Sequence, residues 1–183
     1  MFELTDYADI KKLVNDESYA TSKHLTVKGF LLQQSQVSEL EYCLTEIKSD
    51  DVDWLTKVNN LKRKVVEEKI RYTRYIIKYD KSFITTDNAH TLGLFRSVIC
   101  DGDGNILCFS PPKSIDVESF KEKTSMGNCE IQEFSEGTMV NMYFDYISCE
   151  WELSTRGNIG ARCKFYNDTD KTFREMFLEA FTR

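Results

Sequence analysis

Residues 133–161 read EFSEGTMVNMYFDYISCEWELSTRGNIGA, and the rest of the chain is most easily placed around them. Glu136-Gly137-Thr138 spells a hinged turn. Met139 to Asp145 is rich in strand formers, and Trp151 to Gly157 is a second strand running into a polar Arg-Gly turn. Two strands joined by a reversal, each with a polar cluster at one end, predict a sheet that carries a binding site as well as a core.

The preceding segment, GLFRSVICDGDGNILCFSPP (93–112), predicts a hairpin with strands over 94–100 and 106–109. Its Asp-Gly and Gly-Asn pairs tolerate the positive φ of tight turns. The segment is too short for a calcium loop, which needs alternating acids and a distal Glu. Pro111-Pro112 ends the second strand and stiffens the chain at Lys113.

Further from the centre, Tyr7, Ile10, Leu13 and Val14 follow a helical spacing, and 24–33 reads as a strand. Residues 36–48 fit a short helix or a strand equally well. Ser49-Asp50-Asp51 is an N-cap cluster for a helix over about 51–69, and 70–79 reads as an exposed strand. Asp116 opens a short helix over 116–123, and 129–134 reads as a strand. Phe173, Met176, Phe177, Ala180 and Phe181 form the apolar stripe of a helix over about 170–182, a stripe expected to be core. The fold class is therefore α+β. A mainly antiparallel sheet is built from strands 70–79, 94–100, 106–109, 130–134, 139–145 and 150–155, with flanking helices.

The 183 residues suit a single domain, 1–183, and no apolar run approaches the roughly 20 residues of a membrane span. MFELTDYADIKK has no apolar signal-type core, which points to a reducing, cytoplasmic setting. The six cysteines form no CxxC pair and there are two histidines, so they read as small hydrophobes rather than zinc ligands. A net charge of −6 argues against a non-specific nucleic-acid binder. Yet between Lys57 and Lys81 nine Lys/Arg face three acids. That basic segment reads either as a solvated helix face plus a charged strand edge, or as an anion-steering strip.

Three cations stand out: Arg96 within an apolar strand, Lys113 behind two prolines, and Arg156 in the Ser154-Thr155-Arg156-Gly157 turn. Each alone suits a salt bridge to one of 30 acids; together, on strands bracketing one Gly turn, they suggest convergence on an anion.

The order FRSVI (95–99), DGDGN, a strand, Pro112-Lys113, EFSEGT (133–138), Trp151 and Thr155-Arg156-Gly157 resembles the ATP-dependent RNA ligases of the phage T4 RNA ligase 1-like group over roughly 93–161. It is most similar to degenerate members from large DNA viruses. The resemblance implies a partial nucleotidyltransferase fold, with a part before 93 that carries the basic segment 57–81 and a ligase-like core over 93–183. It further implies ATP and magnesium as cofactors, and RNA ends as partners in infected-cell cytoplasm or a virion. A lysine of the family attacks the α-phosphate of ATP. Arg96, Lys113, Glu136, Gly137 and Arg156 would then bind the nucleotide. Phe134 stands where the nucleophile belongs, and a phenyl ring cannot form a phosphoramidate. Lys113 is the remaining, displaced candidate for that role. The family's later motifs are not found before Arg183, as expected of a fragment or of a pocket lacking its second half.

The resulting expectation is a catalytically defective ligase-like domain that binds nucleotide, nucleic-acid ends or a protein partner such as a second ligase half. The alternatives are a virion-type structural or interaction protein that uses the sheet as scaffold, and an active ligase fragment.

Overall fold

Thr73–Tyr79, TRYIIKY, is the strand on which the molecule is laid, because it buries side chains on both faces. Ile77 and Tyr79 pack with Leu25, Val98, Cys100 and the N-terminal Ile10 and Leu13, while Ile76 packs with Ile99, Tyr143 and Ile159 on the other side. Successive strand residues point to opposite faces, so Arg74, Ile76 and Lys78 share the second of these.

The computed structural model describes residues 3–31, 54–125, 127, 129–133, 136–165 and 170–182. Within these, α1 (Leu4–Tyr7), α2 (Ile10–Asn15) and α3 (Glu17–Ser22) precede β1 (Leu25–Leu31). Then come α4 (Trp54–Tyr72), β2 (Thr73–Tyr79), a single 3₁₀ turn at Leu92–Leu94, β3 (Val98–Asp101) and β4 (Ile106–Phe109). The chain continues through α5 (Val117–Lys123), β5 (Val140–Asp145), β6 (Glu150–Thr155), β7 (Asn158–Ile159) and α6 (Phe173–Phe181).

The fold is α+β, with two antiparallel sheets where one was expected. One sheet runs β1-β2-β3-β4 and the other β5-β6-β7. The first sheet is lined by the N-terminal helices on one face and meets the second sheet on the other. Helical spacing over 6–15 is real but broken in two: Asp9 turns extended and accepts the Lys12 N–H at 3.0 Å, so α2 starts afresh. Asp16 does the same for α3 through the Tyr19 N–H.

At the far end of β2, Arg74 and Asp145 are fully buried and meet through two parallel bonds, Nε–Oδ2 at 2.7 Å and Nη2–Oδ1 at 2.8 Å. Arg74 Nη1 also donates to the carbonyls of Arg71 and Thr73, and Asp145 accepts from the Ile147 and Ser148 N–H groups. A pair so fully satisfied links β2 of one sheet to β5 of the other. Burial pushes the Asp145 carboxyl up, but the Arg74 bonds, the Ile147 N–H, the Arg74 charge and the Ser148 N–H outweigh it, so the net direction is down.

This corrects the reading of the basic segment: β2 is an interior strand, flanked by β1 and β3, and Arg74 is a core residue rather than edge protection. Four further corrections follow. Arg96 is not mid-strand; β3 starts at Val98, and Arg96 sits half-buried in the irregular link after the 3₁₀ turn. Residues 129–133 form no strand, whereas the short β7 was not foreseen. The α6 stripe exists but is not core: no α6 residue is buried, and Phe181 is 68% exposed. Finally, α4 runs to Tyr72, a turn beyond expectation. The expected elements at 36–48 and the 49–51 cap lie outside the described residues. The DGDGN turn is as read: Gly104 has φ +85°, and a Cβ there would lie 2.6 Å from the Lys11 backbone nitrogen.

Removing one partner strands the other as a buried charge, so Arg74→Met or Asp145→Asn should each cost about 3–5 kcal/mol. The double replacement Arg74→Met with Asp145→Leu should recover much of the loss. Because the folded Asp145 carboxyl is depressed, its contribution is present above the ordinary carboxylate range and is lost as pH falls through the lowered value. In urea melts the gap between wild type and Asp145→Asn should therefore hold steady from about pH 5 to 8 and narrow progressively once pH falls below about 4. A gap that stays constant, or widens, as pH falls below about 4 would contradict this.

Candidate functional site

The inter-sheet layer changes character along β2. It is ionic at Arg74, apolar at Ile76, and polar again toward Lys78. Near the polar end Asn141 of β5 donates to Ser110 Oγ at 3.0 Å across the sheets, and Ser97 Oγ and Ser154 Oγ are buried without a hydrogen-bond partner. The second sheet closes this end with the β6–β7 hairpin: Thr155 pairs with Asn158, which leaves Arg156-Gly157 at the tip. Gly160 (φ +89°) and Ala161 (φ +52°) then take left-handed backbone and turn the chain out of β7.

A cleft of about 610 Å³ opens here, lined by Arg96, Glu136, Gly137, Thr138, Met139, Thr155, Arg156 and Phe173. Four of the five residues expected to share a site are thus brought together from three separate segments. The Arg156 guanidinium lies 5.4 Å from the Tyr79 ring centre, and the Tyr79 N–H donates to Phe95 O at 2.8 Å, next to Arg96. β2 therefore supports both arginines. Arg156 Nε is buried with no partner, and among the described residues neither arginine forms an ion pair.

Lys113 does not join them. It lines a separate cleft of about 360 Å³ with Ile84, Thr85 and Asp116, and its Nζ donates to Ser114 O at 3.0 Å. Its backbone N–H bonds Gly93 O, which aims the stiff Pro-Pro-Lys segment elsewhere. Phe134 lies outside the described residues.

Two contributors were not singled out from sequence. Phe173, at the start of α6, forms an apolar wall together with Met139. It is held there by Arg174, whose guanidinium bonds Glu152 of β6 and whose N–H bonds Ala161 O at 2.9 Å. The first N–H groups of α6 are all engaged, by Cys163 O, Ala161 O and Thr172 Oγ, so its N-terminus presents no free donors to a ligand. The second is Lys78, whose Nζ lies 3.4 Å from where a Gly157 Cβ would be. Burial lowers its pKa, and the charges of Arg156, Lys28 and Lys81 lower it further.

Chemically the cleft offers two forked cations, one carboxylate in Glu136, and an apolar wall. Elsewhere, Cys100 is inert, its thiol pushed up to about 12 by burial and by Asp101. Among the described residues no group of three or more His, Cys, Asp or Glu side chains could hold a metal ion, and no helix is long and apolar enough to cross a membrane. Comparison with protein-family models, curated proteins and solved structures found no match to this chain.

A Cβ added at Gly137 meets no atom within 4 Å. Gly137→Ala should therefore leave the thermal midpoint unchanged or raise it slightly, by up to about 1 kcal/mol in stability. A clear fall would show that the Glu136-Gly137-Thr138 wall is packed rather than open.

Proposed function

We propose that the chain is an RNA ligase-like nucleotidyltransferase domain that binds a nucleotide, or the phosphate of a nucleic-acid end, without carrying out ligation. The observation that carries this is the convergence of Arg96 and Arg156, unpaired among the described residues, in one cleft beside Glu136 and Gly137. A guanidinium left half-buried without a carboxylate is expensive unless a ligand supplies the anion. Its forked donors match the paired oxygens of a phosphate or a carboxylate. The cleft volume lies in the range of small-ligand sites, and Phe173 with Met139 gives a face on which a base can rest.

Glu136 is the carboxylate among the lining residues, so magnesium would enter with the phosphates rather than sit in a preformed protein cage. Magnesium would supply charge neutralisation at the phosphates. The chain's own residues orient the nucleotide: Arg156 against Tyr79, Arg96 from the β3 entry, and Phe173 as the wall.

A second reading, an interaction protein with the sheet as scaffold, draws on the exposed Trp151, Tyr146, Leu178 and Phe181. It predicts a stable assembly that is indifferent to nucleotide.

Titration calorimetry at low salt should show saturable binding of AMP or ATP. Arg156→Ala and Arg96→Ala should each weaken it about ten- to a hundredfold, the worth of a charge-assisted contact. Incubation with α-labelled ATP and magnesium should leave no covalently labelled band. Undetectable binding at millimolar nucleotide, or binding indifferent to both arginines, would overturn the proposal; a labelled band would restore the active-ligase alternative.

A further inference from the structure

The cations do not end at the cleft. In the β1–β2 register Lys28 stands opposite Ile76 and Thr26 opposite Lys78, so Lys28 and Lys78 are diagonal neighbours on one face of the sheet. That face is the one Ile76 turns toward the second sheet. β1 is the outer strand of its sheet, and Thr26 and Lys28 are exposed, so the row lies open to solvent. Lys78 reaches the Arg156-Gly157 tip, which continues the row into the cleft, while Lys81 follows β2 as a fourth, exposed cation. The charges of Arg156, Lys28 and Lys81 all act on Lys78. Among the described residues none of Lys28, Lys78, Lys81 or Arg156 has an ion-pair partner. The nearest acid in sequence, Asp80, is occupied by the Ser82 N–H and hydroxyl.

A surface salt bridge would have needed only one acid on β1. Four cations kept together without one raise the folding cost of each, and a chain of anions is the partner that offsets it. We propose that the ligand is a linear chain of phosphates rather than a single phosphate, with Lys78 as the residue that passes it from Arg156 onto the Lys28–Lys81 row. This rests on the nucleotide-binding reading of the cleft. Two sources share that chemistry: the phosphoanhydride tail of a nucleoside triphosphate and the sugar-phosphate backbone of a nucleic-acid strand.

The test compares AMP, inorganic tripolyphosphate and a 5′-phosphorylated single-stranded oligoribonucleotide on wild type and on Lys78→Met. Wild type should bind at least one of the longer anions about tenfold or more tighter than AMP, with a steeper salt dependence. A gain with tripolyphosphate identifies the triphosphate tail. A gain with the oligonucleotide alone identifies the strand. In Lys78→Met the ratio of long-anion to AMP affinity should fall severalfold while the thermal midpoint holds or rises, because a half-buried cation beside Arg156 has been removed. Lys28→Gln with Lys81→Gln, both at exposed positions, should lower the same ratio by a smaller factor. If AMP binds through Arg156 but neither longer anion binds more tightly, or if Lys78→Met leaves the ratio intact, the inference is wrong and the cleft reading survives. If no anion binds at all, the cleft reading itself has failed.

Discussion

The buried pair of Arg74 and Asp145 is the constraint on which the rest of the structure depends. The two sheets face each other through Ile76, Ile99, Tyr143 and Ile159, with Phe30, Leu107 and Cys108 packed against them, and apolar contact of this kind is non-directional. The forked bonds between guanidinium and carboxylate admit one geometry. Four protein donors and acceptors beyond the pair complete both groups, so the desolvation of two charges is met by bonds rather than left open. Its worth lies less in net stability than in fixing which residue of β2 faces which residue of β5.

Once Arg74 is fixed, the alternation of β2 fixes Lys78 on the same face two pairs further on. The same strand thus carries a cation with a carboxylate at one end and a cation beside another cation at the other. Asp145 and two backbone carbonyls satisfy the first. At the second end the hairpin tip adds Arg156 instead of an acid, and the link before β3 adds Arg96. A fold that neutralises one buried cation so completely had the means to neutralise the others, and the proposal of a binding cleft rests on that contrast between the two ends of β2.

Much of this was legible in the sequence where the signal is local. The hairpin turn was readable from DGDGN because Gly104 must take positive φ against Lys11, and the α5 start from Asp116, which accepts the Ser119 N–H. Arg96 and Arg156 were grouped, with Lys113, as cations on strands bracketing one Gly turn, and Glu136 and Gly137 joined them only through the ligase resemblance. What failed was direction and depth. Lys113 was grouped with the two arginines because two prolines precede it, but the order of residues does not say which cleft a side chain lines, and Lys113 lines a separate one. Arg74 was counted with a solvated strip because its neighbours in sequence are basic. Its burial follows from pairing with Asp145, 71 positions away, which no local pattern carries. The α6 stripe has core spacing, yet none of its residues is buried, because spacing alone does not say what will cover a helix face.

The most direct measurement is side-chain nuclear magnetic resonance of the arginine Nε–Hε groups during titration with a nucleotide, with signals assigned by single replacements. The signals of Arg96 and Arg156 should shift saturably together, while that of Arg74, locked on Asp145, stays in place. Unmoved Arg96 and Arg156 signals at saturating nucleotide, or a shift confined to other arginines, would contradict the assignment of the cleft.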